Sequence, residues 1–194
     1  MNIQPITLEG GVVRLEPLTL AHQQALCLVG LDPDLWKVGL ASLSTPEAMK
    51  SYIETALKGQ EAGTMLPFVI VERATEKIVG STRYMNIERQ HRKLEIGHTW
   101  LARPWQRTAM NTEAKYLLLQ HAFESLGCVR VEFKTDVLND RSRAALLRIG
   151  AKQEGILRKH LITQTGRERD SVYFSIIDTE WREVKKRLEE KLRR

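Results

Sequence analysis

Nine consecutive residues near the middle of the chain, Trp105-Gln106-Arg107-Thr108-Ala109-Met110-Asn111-Thr112-Glu113, join a basic side chain and small polar side chains to the start of a helix. An alternating segment, Leu94 to Leu101, precedes them, and a periodic one, Thr112 to Leu126, follows. Strand, short turn and helix together aim free backbone N–H groups at an anion. The first amides of a helix have no carbonyl partner inside it, and its dipole is positive there. The chemistry on offer is a phosphate seat made by the backbone from Arg107 to Thr112. The Arg107 side chain can add a charge-assisted contact. An ordinary helix start with a solvated Arg107 uses the same residues, so both readings stand.

Three further places could carry chemistry. Glu95 is an acid on an otherwise apolar strand; strict alternation sets it on one face with Gly97 and Thr99, opposite Leu94, Ile96 and His98. Such an acid is either a surface residue or a general base. Asn139 and Ser142 stand three apart at a helix start, a good capping pair whose hydroxyl could also donate a proton. Arg158-Lys159-His160 and Arg167-Glu168-Arg169 form a basic hairpin that either recognises acidic groups or is simply solvated. Asp170 can pair with one of these arginines and hold the strand ends. Cys27 and Cys128 sit in apolar runs far apart, which argues for a reducing compartment and against a disulfide framework or a metal site.

These residues need a scaffold. Val12 to Leu18 reads as a first strand, and Thr19 caps a short helix through Val29 that Asp32-Pro33-Asp34 breaks. Ser44-Thr45-Pro46-Glu47 starts a second helix running to about Lys58, with Met49, Ile53 and Leu57 on one face. Leu66–Val71 and Ile78–Met85 form a hairpin, and Leu94–Leu101 is the next strand. After the turn, Ala114, Leu117, Leu118, Ala122 and Leu126 make a helical stripe closed by Gly127. Val129–Thr135 is a strand, and a helix between two strands favours a right-handed crossover that leaves them parallel. A helix from Asn139 or Asp140 to Ile149, strands Ala151–Ile162 and Asp170–Ile177, and a charged helix Thr179–Leu192 complete the chain. The expected fold class is α+β: a mixed, mostly antiparallel seven-strand sheet flanked by helices. One domain is expected over 1–194, with a core of about 11–178 and a C-terminal helix of about 179–192.

The net charge of +6 suits anionic partners such as nucleic acid, ribosomes, acidic proteins or a phosphorylated cofactor, or it only solubilises. No RNA-recognition motif or aromatic platform interleaves with the basic residues, so nucleic acid is not expected. No apolar run approaches the ~20 residues of a membrane helix and no signal segment is present, so no membrane association and a cytoplasmic location are expected.

Three blocks of residues carry a resemblance over about 11–178. The first is Glu95-Ile96-Gly97 with the turn at Pro104 to Gln106 and Asn111-Thr112-Glu113-Ala114. The second is Asn139-Asp140-Arg141-Ser142 with Gly150-Ala151 and Glu154-Gly155. The third is Arg169 to Ser175. With the order of elements, they resemble the GCN-related N-acetyltransferase (GNAT) superfamily, and more narrowly its RimJ/RimL-type ribosomal-protein branch. The resemblance implies acetyl-CoA as co-substrate, no metal, and direct attack of a primary amine on the thioester. The acceptor would be a protein N-terminus or a small amine.

It further implies that strands Leu94–Leu101 and Val129–Thr135 splay apart. The pantetheine arm would then pair near Trp100 and Leu101, and the pyrophosphate would sit on Gln106, Arg107, Thr108, Ala109, Met110, Asn111 and Thr112. Glu95 falls where relatives place a base. The tyrosine many relatives use as proton donor falls at Leu146, which leaves Ser142 for that role and Asn139 to contact the pantetheine. Ala109 and Asn111 stand where the superfamily's turn usually has glycines. The acceptor site is expected from the first two helices with Trp36 and from the hairpin His160–Arg169. A non-catalytic acyl-CoA-binding module and a ribosome- or RNA-associated basic protein are the alternatives. The C-terminal helix packs on the domain or joins a homodimer, so monomer and homodimer both stand.

Overall fold

The computed structural model describes residues 1–38 and 42–193; Gly39, Leu40, Ala41 and Arg194, at the end of the expected domain, lie outside them. In chain order the elements are β1 (Leu8–Glu9), β2 (Val13–Pro17), α1 (Gln23–Gly30), α2 (Pro46–Glu61), β3 (Leu66–Glu72), β4 (Lys77–Glu88), β5 (Lys93–Leu101), α3 (Ala109–Gln120), β6 (Arg130–Asp136), α4 (Asp140–Arg148), β7 (Lys152–Ile162), β8 (Glu168–Ile177) and α5 (Asp178–Leu192). The strands form one sheet in the order β1-β2-β3-β4-β5-β6-β8-β7. The sheet has eight strands, not seven. The extra one, β1, is two residues long, too short to alternate in sequence, and is held by pairing with β2.

The centre of the sheet is buried on both faces, whereas the edge strand β7 is largely exposed, and β3 shows why its apolar run is unbroken. Phe68 and Ile70 enter the core under α3 and α5, whereas Val69 and Val71 enter the core under α1 and α2. Helix α2 starts as its sequence predicts: Thr45 Oγ1 accepts the Ala48 amide at 3.1 Å, Pro46 fills the first turn, and Met49 and Ile53 are fully buried. Its Leu57 packs more loosely on the same cluster.

Helix α3 begins at Ala109, three residues before the predicted Thr112, because Thr108 supplies the cap. Its last turn, His121–Ser125, widens to π geometry before Gly127 (φ +67°) ends it. Two side chains fix α3 to the sheet. The Glu113 carboxylate accepts the amides of Gly11 (2.8 Å), Val12 (2.7 Å) and Val13 (2.7 Å), clasping the β1–β2 turn. Tyr84 Oη, fully buried on β4, donates to the Leu118 carbonyl at 2.6 Å.

The sheet is not closed. Parallel pairing of β5 with β6 covers only Lys93–Glu95 against Arg130–Glu132. Beyond it β5 follows β4 out to Leu101, while β6 follows β8 out to Asp136. The two strands diverge into a V whose vertex is Glu95 and Glu132. Inside the arm β5, pairing with β4 slips between Ser81 and Arg83, and His98 takes φ +48°. This is a β-bulge, and it resets the alternation. Thr99 therefore turns to the α3 side, where it bonds Lys115, while His98 joins Glu95 on the α2 side beside Tyr52. The unbroken alternation expected from sequence put these two residues the other way round.

Candidate active site

Two cavities meet at the V. One of about 580 Å³ lies toward α3 and α4, and one of about 380 Å³ lies toward α2 and the segment before it. They share Gly97, His98, Thr99, Trp100, Lys134, Asn139 and Arg169 along the opening. Backbone on the inner edges of the V has no strand neighbour, so an extended ligand rich in amides can supply the missing partners.

The larger cavity runs from the start of α3 to the vertex. Gln106, Arg107, Asn111 and Lys115 line it from the α3 side, and Asn139, Ser142 and Leu146 from the α4 side. Gln106 braces its mouth: Nε2 donates to the Leu101 carbonyl at 2.8 Å, and Oε1 accepts Arg141 Nη1 at 3.2 Å. Trp100 and Leu101 are also in its wall.

The turn before α3 solves its glycine problem differently from the superfamily pattern. Ala109 and Asn111 lie in the first helical turn, where negative φ suits any residue. The left-handed position falls instead on Arg107, at φ +61°. Thr108 Oγ1 accepts the Met110 amide at 3.3 Å and donates to the Trp105 carbonyl at 2.8 Å. Of the expected seat, the structure brings Gln106, Arg107 and Asn111 to the cavity. Met110 and Thr112 turn their side chains into the protein, and Thr108 and Ala109 face outward at the rim. What those four can offer a phosphate is backbone.

At the vertex, Glu95 is 3% exposed. Its Oε2 accepts Asn86 Nδ2 at 2.8 Å and lies 3.5 Å from Lys134 Nζ. The side chain borders the smaller cavity beside Gly97, and a Cβ on Gly97 would meet Met85 Sδ at 2.6 Å and Glu95 Oε1 at 3.3 Å. His98 keeps contact with solvent at the cavity mouth. Desolvation by the surrounding protein, then Arg83, Lys134 and Arg169, lowers it to about 4, so it is neutral at physiological pH.

Ser142 is half-buried in the larger cavity, and its amide donates to Asn139 Oδ1 at 3.0 Å. The capping pair is therefore real, and the Ser142 hydroxyl makes no hydrogen bond to any described residue. Leu146, 7% exposed, presents an apolar wall to the larger cavity. Burial pushes the Cys128 thiol up to about 11, which removes it as a nucleophile at neutral pH.

Sequence reasoning missed Lys115. It is 5% exposed, and its Nζ donates to Thr99 Oγ1 at 2.6 Å inside the larger cavity. Desolvation pushes it down to about 7, with Glu95 acting in the opposite sense. The signal was its spacing: Asn111 and Lys115 stand four apart on one face of α3, and both line the cavity.

The basic hairpin divides. Arg158 and Lys159 are exposed, but Arg169 is 5% exposed and enters the V. Among the described residues Asp170 pairs with no arginine; its Oδ1 accepts the Lys159 amide at 2.7 Å, and Arg167 goes to Asp136 instead. The smaller cavity is otherwise walled by Trp36, Leu43, Tyr52 and Trp100. Trp36 Nε1 donates to the Gly30 carbonyl at 2.8 Å, and its ring meets Trp100 edge-on at 5.5 Å. Among the described residues, no helix is long and apolar enough to cross a membrane.

Comparisons with known proteins point one way. The family model described as an acetyltransferase (GNAT) domain matches residues 13–152. YdaF of Bacillus subtilis (strain 168), named as a candidate ribosomal N-acetyltransferase, is 32% identical over 136 residues, covering 70% of this chain and 68% of that protein. The crystal structure of a provisionally assigned acetyltransferase from T. thermophilus superposes with a TM-score of 0.89 at 39% identity, covering 99% of this chain and 100% of that one. RimJ of Mycobacterium smegmatis, solved in complex with CoA-disulfide, gives a TM-score of 0.83 at 25% identity, covering 96% of this chain and 95% of that one.

Proposed function

The chain belongs to the GNAT acetyltransferase family, and from that premise we propose that it transfers acetyl from acetyl-CoA to a primary amine at the vertex of the V. The observation that carries the proposal is the position of Glu95. It is a buried carboxylate that borders the smaller cavity two residues from Gly97, where that cavity opens onto the larger one, so an amine held on its side could meet an acetyl donor held on the other.

The residues fit an acyl-CoA. The start of α3 offers backbone amides and Arg107 to a pyrophosphate, and the open edges of β5 and β6 suit an extended amide-bearing arm. Bound acetyl-CoA would supply an activated thioester carbonyl. Glu95 would take the proton that a protonated amine must lose before it can attack, directly or through water. Asn139 holds the first turn of α4 and with it Ser142, whose free hydroxyl would protonate the departing thiolate. Trp36 and Tyr52 would flank the acceptor.

The acceptor class we favour is a protein N-terminus, because YdaF, which matches 70% of the chain, carries a name that makes it a ribosomal N-acetyltransferase. A small amine is the second reading. Incubating the protein with acetyl-CoA and a library of peptides with free N-termini, and reading a 42 Da mass gain by mass spectrometry, tests both steps. Thermal stabilisation by acetyl-CoA with no thiol release on any amine would leave only a binding module.

A further inference from the structure

Arg169 reaches the V from β8 as a cation that its surroundings leave unserved. It is 5% exposed and borders both cavities, and its buried Nε makes no hydrogen bond. The nearest carboxylate oxygen, Asp136 Oδ2, is 3.8 Å away. That carboxylate already holds the Arg167 guanidinium, and its other oxygen accepts the Leu138 amide at 3.0 Å. A guanidinium removed from water without a full set of acceptors is costly, and it marks a place where another group supplies the anion.

The surrounding charges agree. Arg83 on β4 is 1% exposed, with Nε and Nη2 unpartnered and its guanidinium carbon 4.4 Å from the Tyr52 ring centre. Lys134 on β6 reaches Glu95 only at 3.5 Å. These three cations all bear on His98, at the mouth of the smaller cavity. The acids bordering that cavity are Glu95, Asp34 and Asp140. Asp34 is paired with Lys37 and Arg103, and Asp140 with Arg143. The floor of the cavity therefore carries a surplus of positive charge. On the reading above, the donor's phosphates sit at the far end of the larger cavity, beside Arg107 and Asn111, and do not neutralise it.

We propose that the acceptor is a primary amine that also carries a carboxylate, held by Arg169 while its amine faces Glu95. A planar two-oxygen group matches the fork of a guanidinium, and the aromatic walls at Trp36 and Tyr52 accept the carbon skeleton between the two charges. The carboxylate can belong to a free amino acid or to an Asp or Glu side chain just behind a protein N-terminus. This inference rests on the acetyltransferase reading.

The test is thiol release with matched acceptors. One series sets free amino acids against their carboxamides. The other sets C-terminally amidated peptides beginning Ser-Glu or Ser-Asp against Ser-Gln or Ser-Asn. The anionic member should lead by about tenfold or more in kcat/KM, mainly through KM, in at least one series, and that series identifies the source of the carboxylate. The ratio should fall toward one in Arg169→Gln and lie between in Arg169→Lys. Should Arg169→Gln fail to fold, inhibition of the unsubstituted enzyme decides: glutarate should compete with the amine and glutaramide should not. Equal or greater use of the neutral members in both series overturns the inference, as does a ratio that survives in folded Arg169→Gln or an absence of glutarate inhibition. In those cases acetyl transfer itself still stands. No thiol release with any amine overturns the acetyltransferase reading, and this inference with it.

Discussion

Glu113 and Glu95 are both buried acids, 7% and 3% exposed, yet their surroundings differ in kind. The Glu113 carboxylate is held by three backbone amides at 2.7–2.8 Å from the β1–β2 turn, and it borders neither cavity. Glu95 has one amide donor, from Asn86, and a lysine at 3.5 Å, and it faces a cavity. A carboxylate held by three fixed amides and sealed from both cavities has little left to offer a ligand. A carboxylate with spare acceptor capacity beside an opening can still receive a proton. Burial alone marks neither role; the number and kind of partners separate structure from chemistry.

The largest effect follows from exchanging the two acids' roles in experiment. Glu95→Gln keeps the size and the contact with Asn86 but cannot accept a proton. We expect kcat/KM to fall about 10²–10⁴-fold, in the range of a positioned base, with a melting temperature close to that of the unsubstituted protein. Steady-state thiol release beside a thermal melt checks both halves. Full turnover across pH would remove Glu95 from catalysis and would erase the contrast.

Glu113→Ala should do the reverse. The Gly11 and Val12 amides can find water, but the Val13 amide is buried and would be left unpaired. A loss of about 2–4 kcal/mol is expected, which for a chain of this size lowers the melting temperature by about 5–15 °C. Activity per folded molecule should stay near that of the unsubstituted protein at low temperature. Collapse of turnover without loss of stability would show that the clasp also sets the geometry of α3 at the cavity.

Lys115 sharpens the same contrast with the opposite charge. Its Nζ has one protein acceptor, and burial pushes it down from the ordinary lysine value to about 7. The folded state thus disfavours the proton. Between about pH 7 and the unfolded value near ~10.4 the unfolded chain binds more protons, so stability rises with pH through that window. Below about 7 the full penalty is present. Lys115→Met should stabilise the protein by up to a few kcal/mol at neutral pH and below, and by little near pH ~10. Denaturant midpoints of the two proteins at pH 6, 8 and 10 check the sign; a difference that grows with pH would contradict it.

How much of this was legible in the sequence follows from which forces are local. Strand alternation, the Thr45-Pro46 helix start and the Gly127 stop are short-range signals, and they placed α2, β3 to β6 and α4 within a few residues. The bulge at His98 was not legible. It depends on a slip of β5 against β4 between Ser81 and Arg83, which no spacing within Leu94–Leu101 records. Lys115 was hidden for another reason. A lysine on a helix is usually solvated, and only the opening between β5 and β6 turns this one inward. Arg169 reads as one more cation in a basic hairpin until β8 carries it into the V. The glycine question at Ala109 and Asn111 also dissolves in three dimensions, since the left-handed residue is Arg107.

The smallest expected effect tests the other end of the proposed proton path. Ser142 has a structural task that its backbone performs: its amide, not its hydroxyl, bonds Asn139. Ser142→Ala therefore leaves the cap intact and removes only the free hydroxyl from the larger cavity. The CoA thiol, with a pKa near ~8.5, is a fair leaving group without help, so the loss in kcat should be no more than about tenfold. It should also depend on the leaving group. An acetyl thioester of a more acidic thiol needs less protonation and should show a smaller Ser142→Ala defect than acetyl-CoA does. A defect of the same size for both thioesters would make Ser142 a positioning residue. Asn139→Ala, which removes the cap and loosens the first turn of α4, is the matched control: it should raise the KM for acetyl-CoA and lower stability by about 1 kcal/mol.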